Sequence, residues 1–412
     1  MPPRRFVTDS LAFILLIGFV TAVQAMSTTL TLPALPAIAR EFGVAPDIAQ
    51  FTLSGFLIGV ASGQILSGAL SDRFGRRPVL LTGLVLSVAT GVGCTFASSM
   101  GLLIAMRVLQ GFGCAAGMIL GRAIVRDAFA RDKALKAMSG IALTVSIVPM
   151  LGPPIAGMLL ELMSWRAVFA LLTLITTVIT VLVYVKVPET LKQPDTRATD
   201  PRRILLNCTE TLRNPASIGF SLMASLIYGG VFSYLAVIPF VARDSFGLSG
   251  AVAGWLIGAG SLAIWFGATL NNRLTGRWPV RRLLDLSSTL AIAGALATLA
   301  ATLFVAWGPQ GGTATLALIV IPAMVFSFTF GITQPTAIVM ALQPLPHIAG
   351  TASALGASFQ TLSGALFSSI AAALYTGTPV SMGVCMAIAG ALSFSIYRSV
   401  ARHYSPAHVG GK

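Results

Sequence analysis

The chain consists of long apolar runs separated by short polar turns, and this pattern continues from one end of the sequence to the other. Each run holds about 20 or more residues with almost no charge, which is the length that an α-helix needs to cross a bilayer. The runs are continuously apolar rather than alternating, so spanning β-strands do not explain them. Twelve spanning helices are predicted, at residues 11–32, 48–70, 79–98, 101–125, 137–160, 166–187, 215–241, 250–271, 283–306, 313–340, 348–374 and 379–399.

Composition agrees with a protein that is surrounded by lipid. Hydrophobic residues make up 55% of the 412 residues, and charged residues make up 10%. A soluble domain of this length carries about 25% charged residues on average. The predicted fold class is therefore an all-α integral membrane protein, with the lipid bilayer as its solvent and partner.

The basic residues give the predicted helices an orientation. When the first turn is placed on one side of the membrane, most of the 27 Lys and Arg residues fall on that side, and the other side receives Arg40, Arg166 and Arg243. Cytoplasmic loops of membrane proteins carry the excess of basic residues. Both termini are therefore predicted to be cytoplasmic. This asymmetry accounts for the net charge of +14, so no nucleic-acid partner is expected.

Two stretches of the chain resemble each other, "SGFLIGVAS" (54–62) in the second run and "AGWLIGAGS" (253–261) in the eighth. The similarity indicates two duplicated halves. It predicts an N-terminal six-helix bundle at 1–187, a cytoplasmic linker at 188–213 and a C-terminal six-helix bundle at 214–412. Glycines four residues apart in both stretches let helix backbones approach closely in lipid. These glycines either serve close packing alone, or they also form smooth helix faces between the two halves that let the halves rock against each other.

Residues that carry catalytic or metal chemistry do not cluster in the sequence. The four cysteines show no CxxC pair and no His/Cys spacing, so neither a disulfide framework nor a metal site is predicted. The sequence also lacks paired catalytic acids, a nucleophile constellation and a phosphate-binding loop. The chain is therefore not expected to be an enzyme or to hold a cofactor.

Three motifs resemble those of the major facilitator superfamily. They are "GALSDRFGRRP" (68–78) after the second run, "LIAMRVLQGFGCAA" (103–116) in the fourth and "VPMLGPPIAG" (148–157) in the fifth. The segments "RAIVRD" (122–127), "LPALP" (32–36) and "AGTASAL" (349–355) are similar to the Bcr/CflA drug-resistance branch of that superfamily. The resemblance implies two six-helix bundles around a central cavity that opens alternately to each side.

The resemblance also implies gating residues in and around the charged turn after the second run. Asp72 would act as a latch towards the second bundle near Gly350, with Arg126 as a basic neighbour; for Arg76, orienting the chain is a sufficient role. The antiporter motif of the fifth run implies a bend that shapes the cavity, although its prolines also fit a kink needed only for packing. The predicted gating residues are Gly68, Asp72, Arg73, Gly75, Arg76, Arg122, Arg126 and Gly350, and the antiporter-motif residues are Pro149, Gly152, Pro153 and Gly157.

Arg107 lies inside the fourth run, where an arginine is costly unless it faces a polar cavity or a partner. The resemblance implies a role in coupling or substrate binding. Alternatively, Arg107 pairs with backbone carbonyls or extends to the outer face. The remaining coupling and substrate candidates are Gln110, Gln24, Met26 and Thr29. Aromatic and amide side chains that could line an apolar cavity are Tyr228, Phe232, Tyr234, Phe328, Gln334, Phe359 and Gln360.

The chain departs from its family in the first run, and this departure leaves the route of proton coupling open. Drug/proton antiporters of the family usually carry an acidic residue there, and Thr29 occupies the expected position. All 13 Asp and Glu residues fall in loops or at the ends of runs. Two routes remain open: coupling through an acid at the end of a span, such as Glu161 or Asp127, or transport driven by the substrate gradient or charge.

The resemblance therefore implies a monomeric exporter in a bacterial inner membrane, with small molecules as substrates. Protons are a further partner if transport is coupled to them. Without an acid to pair with Arg107, the cavity is expected to be positive and to prefer neutral or anionic amphipathic compounds, including antibiotics, over lipophilic cations. The alternative is an exporter or facilitator of one metabolite, such as an amino-acid derivative, a siderophore or an organic anion.

Overall fold

The computed structural model of the chain describes residues 11–129, 131–307 and 312–403, apart from the side chains of 131–136, 139 and 401–403. The described residues are mainly helical. The helices are α1 (Leu11–Thr29), α2 (Leu35–Phe42), α3 (Pro46–Phe74), α4 (Arg76–Thr95), α5 (Met100–Ala128), α6 (Arg131–Leu162), α7 (Arg166–Lys186), α8 (Pro201–Arg213), α9 (Pro215–Asp244), α10 (Gly250–Leu274), α11 (Val280–Trp307), α12 (Thr313–Leu342), α13 (Ala349–Ala373) and α14 (Val380–His403).

The predicted all-α membrane fold is confirmed, because each of the twelve predicted runs coincides with a long helix. Eleven helical segments in the described residues are long and apolar enough to cross a membrane. The twelfth, α13, is 25 residues long but rich in Gly, Ser and Thr. It packs between α3 and α9, where small and polar residues allow close helix contacts that lipid-facing positions do not need.

Two short helices lie where the sequence predicted none. A 3₁₀ turn at Leu32–Ala34 leads from α1 into α2. The predicted polar linker contains α8, which begins with Pro201 in its first turn and with Asp200 accepting a hydrogen bond from the Arg202 backbone N–H. This is a common way for a helix to start. The predicted domain boundaries at 187/188 and 213/214 lie between the end of α7 and the start of α9.

The long helices pack as two groups, α1 and α3–α7 in one and α9–α14 in the other. Two helix pairs join the groups, α3 with α13 and α6 with α10. We call the end of the bundles where α3 ends and α4 begins the basic face, and the other end the opposite face. The terminal segments 1–10 and 404–412, predicted to be cytoplasmic, lie outside the described residues.

The duplicated glycine stretches have different partners in the two groups. A Cβ atom at Gly59 would overlap the Val108 carbonyl of α5, inside the first group. A Cβ atom at Gly254 would overlap the Pro153 carbonyl of α6, across the two groups. The stretch in α3 therefore serves packing within a bundle, whereas the stretch in α10 forms the surface on which the bundles meet.

Candidate functional site

A cavity of about 480 Å³ lies between the two bundles at the basic face. Its walls come from the C-terminal parts of α3 and α5, the beginning of α13, and the segment that leads into α8. A second, smaller space of about 50 Å³, which we call the inner chamber, is lined by α5, α9, α12 and α13. Met118, Arg122, Leu342 and Ser353 line both spaces, so the inner chamber is the inner end of the cavity.

Backbone contact between α6 and α10 closes the bundles at the opposite face. A Cβ atom at Gly157 would overlap the carbonyl of Gly250, and one at Gly258 would lie 2.6 Å from the carbonyl of Met150. Glu161 Oε1 accepts a hydrogen bond of 3.4 Å from the backbone N–H of Ala251 in the first turn of α10. Helix backbones in such close contact leave no passage between α6 and α10 at the opposite face.

The predicted antiporter motif lies in this contact. Helix α6 is continuous through Pro149 and Pro153, and the carbonyl of Pro153 faces Gly254 of the second bundle. On the other side of α6, a Cβ atom at Gly152 would lie 2.6 Å from the Leu30 side chain. The motif residues therefore place α6 close to α10 at the opposite face, which is the position that a gate between the bundles requires.

Arg76 is the centre of the charged turn on the basic face and is buried. Its Nη1 atom lies 2.5 Å from Asp72 Oδ1, and its Nε atom lies 3.1 Å from Asp127 Oδ2. Asp72 and Gly350 line the same cavity, as the predicted latch requires. In this conformation, however, the Asp72 carboxylate pairs inside its own bundle, and the latch stays a prediction.

The segment before α8 is attached to this turn. The Glu189 carboxylate accepts hydrogen bonds from the backbone N–H groups of Arg76 (3.0 Å) and Arg77 (3.1 Å). These bonds give two N–H groups in the first turn of α4 an acceptor, and the negative charge offsets the positive end of the helix dipole. Arg73 Nη1 donates to Thr199 Oγ1 at 2.5 Å. The turn between α3 and α4 passes through Gly75 with φ of 102°, a backbone conformation that favours glycine. The predicted gating residues Arg73 and Gly75 thus position the linker.

Arg107 is fully buried inside the first bundle. Its guanidinium donates to the carbonyls of Thr52 (3.1 Å) and Ser27 (3.0 Å) and to Gln110 Oε1 (2.7 Å). The guanidinium carbon lies 4.2 Å from the ring centroid of Phe56. Arg107 therefore connects α1, α3 and α5.

Of the predicted alternatives for Arg107, pairing with carbonyls describes this geometry. Arg107 is not among the residues that line the cavity or the inner chamber, so the positive charge expected in the cavity has another source. Gln110, one turn further along α5, accepts from Arg107. A coupling or substrate role for either residue stays a prediction.

Arg122 and Arg126 lie one turn apart near the end of α5, and both line the cavity. The Arg126 side chain is 72% exposed, with its Nε atom 4.0 Å from Asp127 Oδ1. Arg122 is also exposed, and it reaches into the inner chamber. No described residue forms an ion pair or a hydrogen bond with Arg122. Arg122 is therefore a cationic group that lines the cavity and has no partner among the residues that the structure describes.

The predicted cavity side chains do not form one wall. Gln334 and Gln360 come together, with Nε2 of the first 3.5 Å from Oε1 of the second, and both line the inner chamber. Phe328 instead faces a separate groove formed by α10, α11 and α12. Tyr234 is buried, and its hydroxyl donates to the Leu256 carbonyl at 2.8 Å.

The other predicted side chains lie in or beside packed helix contacts. Tyr228 and Phe232 have ring centroids 4.4 Å apart and pack against Gly364, while Phe359 is half-buried. In α1, Met26 belongs to a small apolar cluster, and Thr29 Oγ1 donates to the Ala25 carbonyl at 2.9 Å. Gln24 is buried, and its Oε1 atom has no hydrogen-bond partner among the described residues.

Several lining residues were not anticipated from the sequence. Met118, Ser221, Ser225 and Ser353 line the inner chamber, and such small or flexible side chains carry no distinctive motif. For Ser353 the available signal was the lower hydropathy of the eleventh run, which becomes α13. Among the described residues, no three His, Cys, Asp or Glu side chains come together to hold a metal ion.

Comparison with known proteins supplies the family to which this two-bundle architecture belongs. The Major Facilitator Superfamily matches residues 17–368. The chain belongs to this superfamily. It is also 31% identical over 382 residues to multidrug resistance protein D of Escherichia coli K12, covering 92% of this chain and 93% of that protein. A bicyclomycin resistance protein homolog of Haemophilus influenzae is 28% identical over 381 residues, covering 91% and 94%.

A solved structure shares the fold of this superfamily member. The xylose transporter XylE from E. coli, in a partially occluded inward open conformation, aligns with a TM-score of 0.73 at 16% identity, over 97% of this chain and 100% of that chain. The predicted resemblance to the Bcr/CflA branch is confirmed by the two resistance-protein relatives. The chain is a membrane transporter of the major facilitator superfamily and not an enzyme.

Proposed function

We propose that this transporter exports small amphipathic neutral or anionic compounds across a bacterial inner membrane as a monomer, by alternating access. The observation that carries the proposal is the asymmetry between the two ends of the bundles. At the basic face a cavity of about 480 Å³ separates the bundles, whereas at the opposite face the backbones of α6 and α10 touch. This is the arrangement of one of two access states around a site between repeats.

The basic turns set the direction of access. Because basic residues concentrate on the cytoplasmic side of membrane proteins, the basic face is the cytoplasmic one and both termini lie there. The cavity then takes up its substrate from the cytoplasm. Two bacterial relatives are named for resistance to bicyclomycin and to multiple drugs, which supports export as the direction of transport.

The charge of the cavity supports the proposed substrate class. Four arginines and two aspartates line it, so the formal charge of these six residues is positive. Each aspartate already has an arginine within 2.7 Å, Asp72 with Arg76 and Asp195 with Arg203. A lipophilic cation would have to compete with these arginines, whereas a neutral or anionic compound would not.

For coupling, we propose Glu161 rather than Asp127 as the acid that takes part. Asp127 is held by Arg76 in its own bundle. Glu161 contacts the first turn of α10 across the two bundles, where the positive end of the helix dipole favours a carboxylate. Loss of the carboxylate charge would weaken this contact and so favour opening of the opposite face. Transport driven by the substrate gradient remains the alternative, and loss of pH-gradient dependence in Glu161→Gln would separate the two.

The proposal is tested by expressing the chain in a bacterial host that lacks its own drug exporters. Growth is measured across a panel of neutral, anionic and cationic antibiotics, with Gly254→Leu as a variant that cannot restore the contact between α6 and α10. We expect resistance to several neutral or anionic compounds in the wild type and none in the variant. Strong efflux of ethidium-like cations would contradict the substrate class. Resistance to a single compound would favour the exporter of one metabolite.

A further inference from the structure

Arg122 has the environment of a ligand-binding cation. It is exposed, and it lines both the cavity and the inner chamber, where α5 borders the space between the bundles. No described residue pairs with it, although other arginines of the cavity, Arg76 and Arg203, have carboxylate partners at 2.5 and 2.7 Å. In a cavity with low-dielectric walls, an unpaired guanidinium attracts an entering anion more strongly than one on an open surface does.

The inner chamber selects what can reach Arg122. Among the described residues that line this chamber, Arg122 is the one that carries a charge. The remaining walls combine apolar side chains such as Phe220 and Ile338 with hydroxyl and amide groups from Ser221, Gln334 and Gln360. Carboxylates, which would attract a cation, are absent from this lining.

The volumes of the two spaces suit two different parts of one ligand. The inner chamber, at about 50 Å³, accommodates a small polar group. The cavity, at about 480 Å³, falls in the range of about 300–1,000 Å³ that binding sites for drug-sized molecules occupy. A compound with an apolar body and a compact acidic group would leave its body in the cavity and extend its acidic group towards Arg122.

We infer that Arg122 binds the acidic group of the transported compound and that the preferred substrates are amphipathic organic acids, with Gln334 and Gln360 as the polar groups contributed by the second bundle. This inference rests on the proposed function for the identity of the ligand as a substrate. A guanidinium binds a carboxylate through two parallel hydrogen bonds. Residues from both bundles would then contact one compound, which links its binding to the relative position of the bundles.

The test measures binding rather than transport. The purified full-length protein in lipid nanodiscs is titrated by calorimetry with 1-naphthaleneacetate and with 1-naphthaleneacetamide, which share the ring and differ in charge. We expect the wild type to bind the carboxylate about tenfold or more tightly than the amide, because one charge-assisted bidentate pair is gained. Arg122→Gln should bring the two affinities together while leaving that of the amide unchanged. Arg243→Gln, which removes an exposed arginine at the far end of α9, should keep the wild-type preference.

Equal affinities in the wild type, absence of carboxylate binding, or an unchanged preference in Arg122→Gln would each overturn the inference. A second measurement on the wild type covers the case in which Arg122→Gln does not fold. Cys208 lines the cavity, whereas the other three cysteines are buried. At a concentration between the two dissociation constants, the carboxylate should slow maleimide labelling of Cys208 more than the amide does; equal protection by the two compounds, or protection by neither, would overturn the inference.

The two proposals can fail separately. A carboxylate preference that depends on Arg122, together with no resistance in the sensitive host, would leave the anion site standing and overturn the exporter. Resistance to several compounds, together with equal affinities for the carboxylate and the amide, would leave the exporter standing and overturn the anion site.

Discussion

Arg107 and Arg122 lie on the same helix, about 22 Å apart along its axis, and their surroundings differ in kind. Arg107 is fully buried and donates to two carbonyls and a glutamine within its own bundle. Arg122 faces the cavity between the bundles and has no partner among the described residues. The same side chain is therefore a structural connector at one position and a free cation at the other.

The difference shows that the unfavourable free energy of an arginine in a membrane helix can be offset in two ways. At Arg107 the protein supplies the hydrogen-bond acceptors, so the guanidinium stabilises the fold and needs no ligand. At Arg122 the described residues supply no acceptor, and the side chain faces a cavity that has room for water or a ligand. A sequence motif shows that an arginine is present, but the hydrogen-bond acceptors around its guanidinium decide which of the two roles the residue has.

The largest expected effect is the loss of stability in Arg107→Ala. The carbonyls of Ser27 and Thr52 and the Gln110 amide would lose their donor inside the bundle, and unpaired buried groups cost about 1–3 kcal/mol each. We expect the free energy of unfolding to fall by more than about 3 kcal/mol, measured by denaturation in detergent followed by circular dichroism. Arg122→Ala is the control and should change stability little. Equal losses in the two variants would remove the distinction between them.

The second effect concerns the space in which Arg122 lies. In Gly254→Leu the added side chain overlaps the Pro153 carbonyl, so the bundles must separate at the opposite face and close at the basic face. Maleimide labelling of Cys208 in the cavity should slow several-fold, while Arg107 and its bundle stay intact. Gly101→Leu is the matched control, because a Cβ atom at Gly101 meets nothing within 4 Å. Unchanged labelling in Gly254→Leu would contradict the role of this contact.

A third prediction compares thiols near the two arginines. Cys114, whose Sγ atom lies 3.7 Å from Ser27 Oγ, is buried in the region of Arg107, and Cys208 lines the cavity of Arg122. Burial raises the pKa of the Cys208 thiol above its ordinary value. Since the thiolate is the reactive form, labelling of Cys208 should be slow at pH 7 and rise about tenfold per pH unit below that pKa.

The native Cys114 thiol should remain unlabelled over the same pH range. Peptide-resolved mass spectrometry after maleimide treatment distinguishes the two cysteines, and the denatured protein provides the reference rate. Labelling of Cys114 before Cys208 would contradict the assignment of the Arg107 region to a closed bundle and of the Arg122 region to an open cavity.

The smallest expected effect on stability is that of Asp72→Asn. The Asp72 side chain is 47% exposed, and exposed ion pairs contribute about 0–1 kcal/mol. Arg76 keeps Asp127 and Ser71 as partners, so the free energy of unfolding should fall by less than about 1 kcal/mol. Reduced export at unchanged stability would support the predicted latch. Unchanged export would leave Asp72 without a gating role.

Much of the fold was accessible from the sequence because lipid imposes a simple rule. A helix that crosses the bilayer must be long and apolar, so the helix bounds deviate from prediction by a few residues at most positions. The helix α8 was missed because its polar composition resembles a loop, and its start depends on Asp200 and Pro201. The candidate site was harder to predict, since Gln334 and Gln360 share the inner chamber whereas Phe328 faces a different groove.

The sequence by itself determined the number and limits of the long helices, the concentration of basic residues at one face, and the presence of two arginines in α5. Hydropathy and charge are properties of the chain that each segment carries wherever it folds. Only the tertiary structure decided that Arg107 meets the carbonyls of Ser27 and Thr52 while Arg122 meets a cavity. Backbone carbonyls are identical in every residue, so their position beside a side chain is fixed by helix packing and not by any sequence motif.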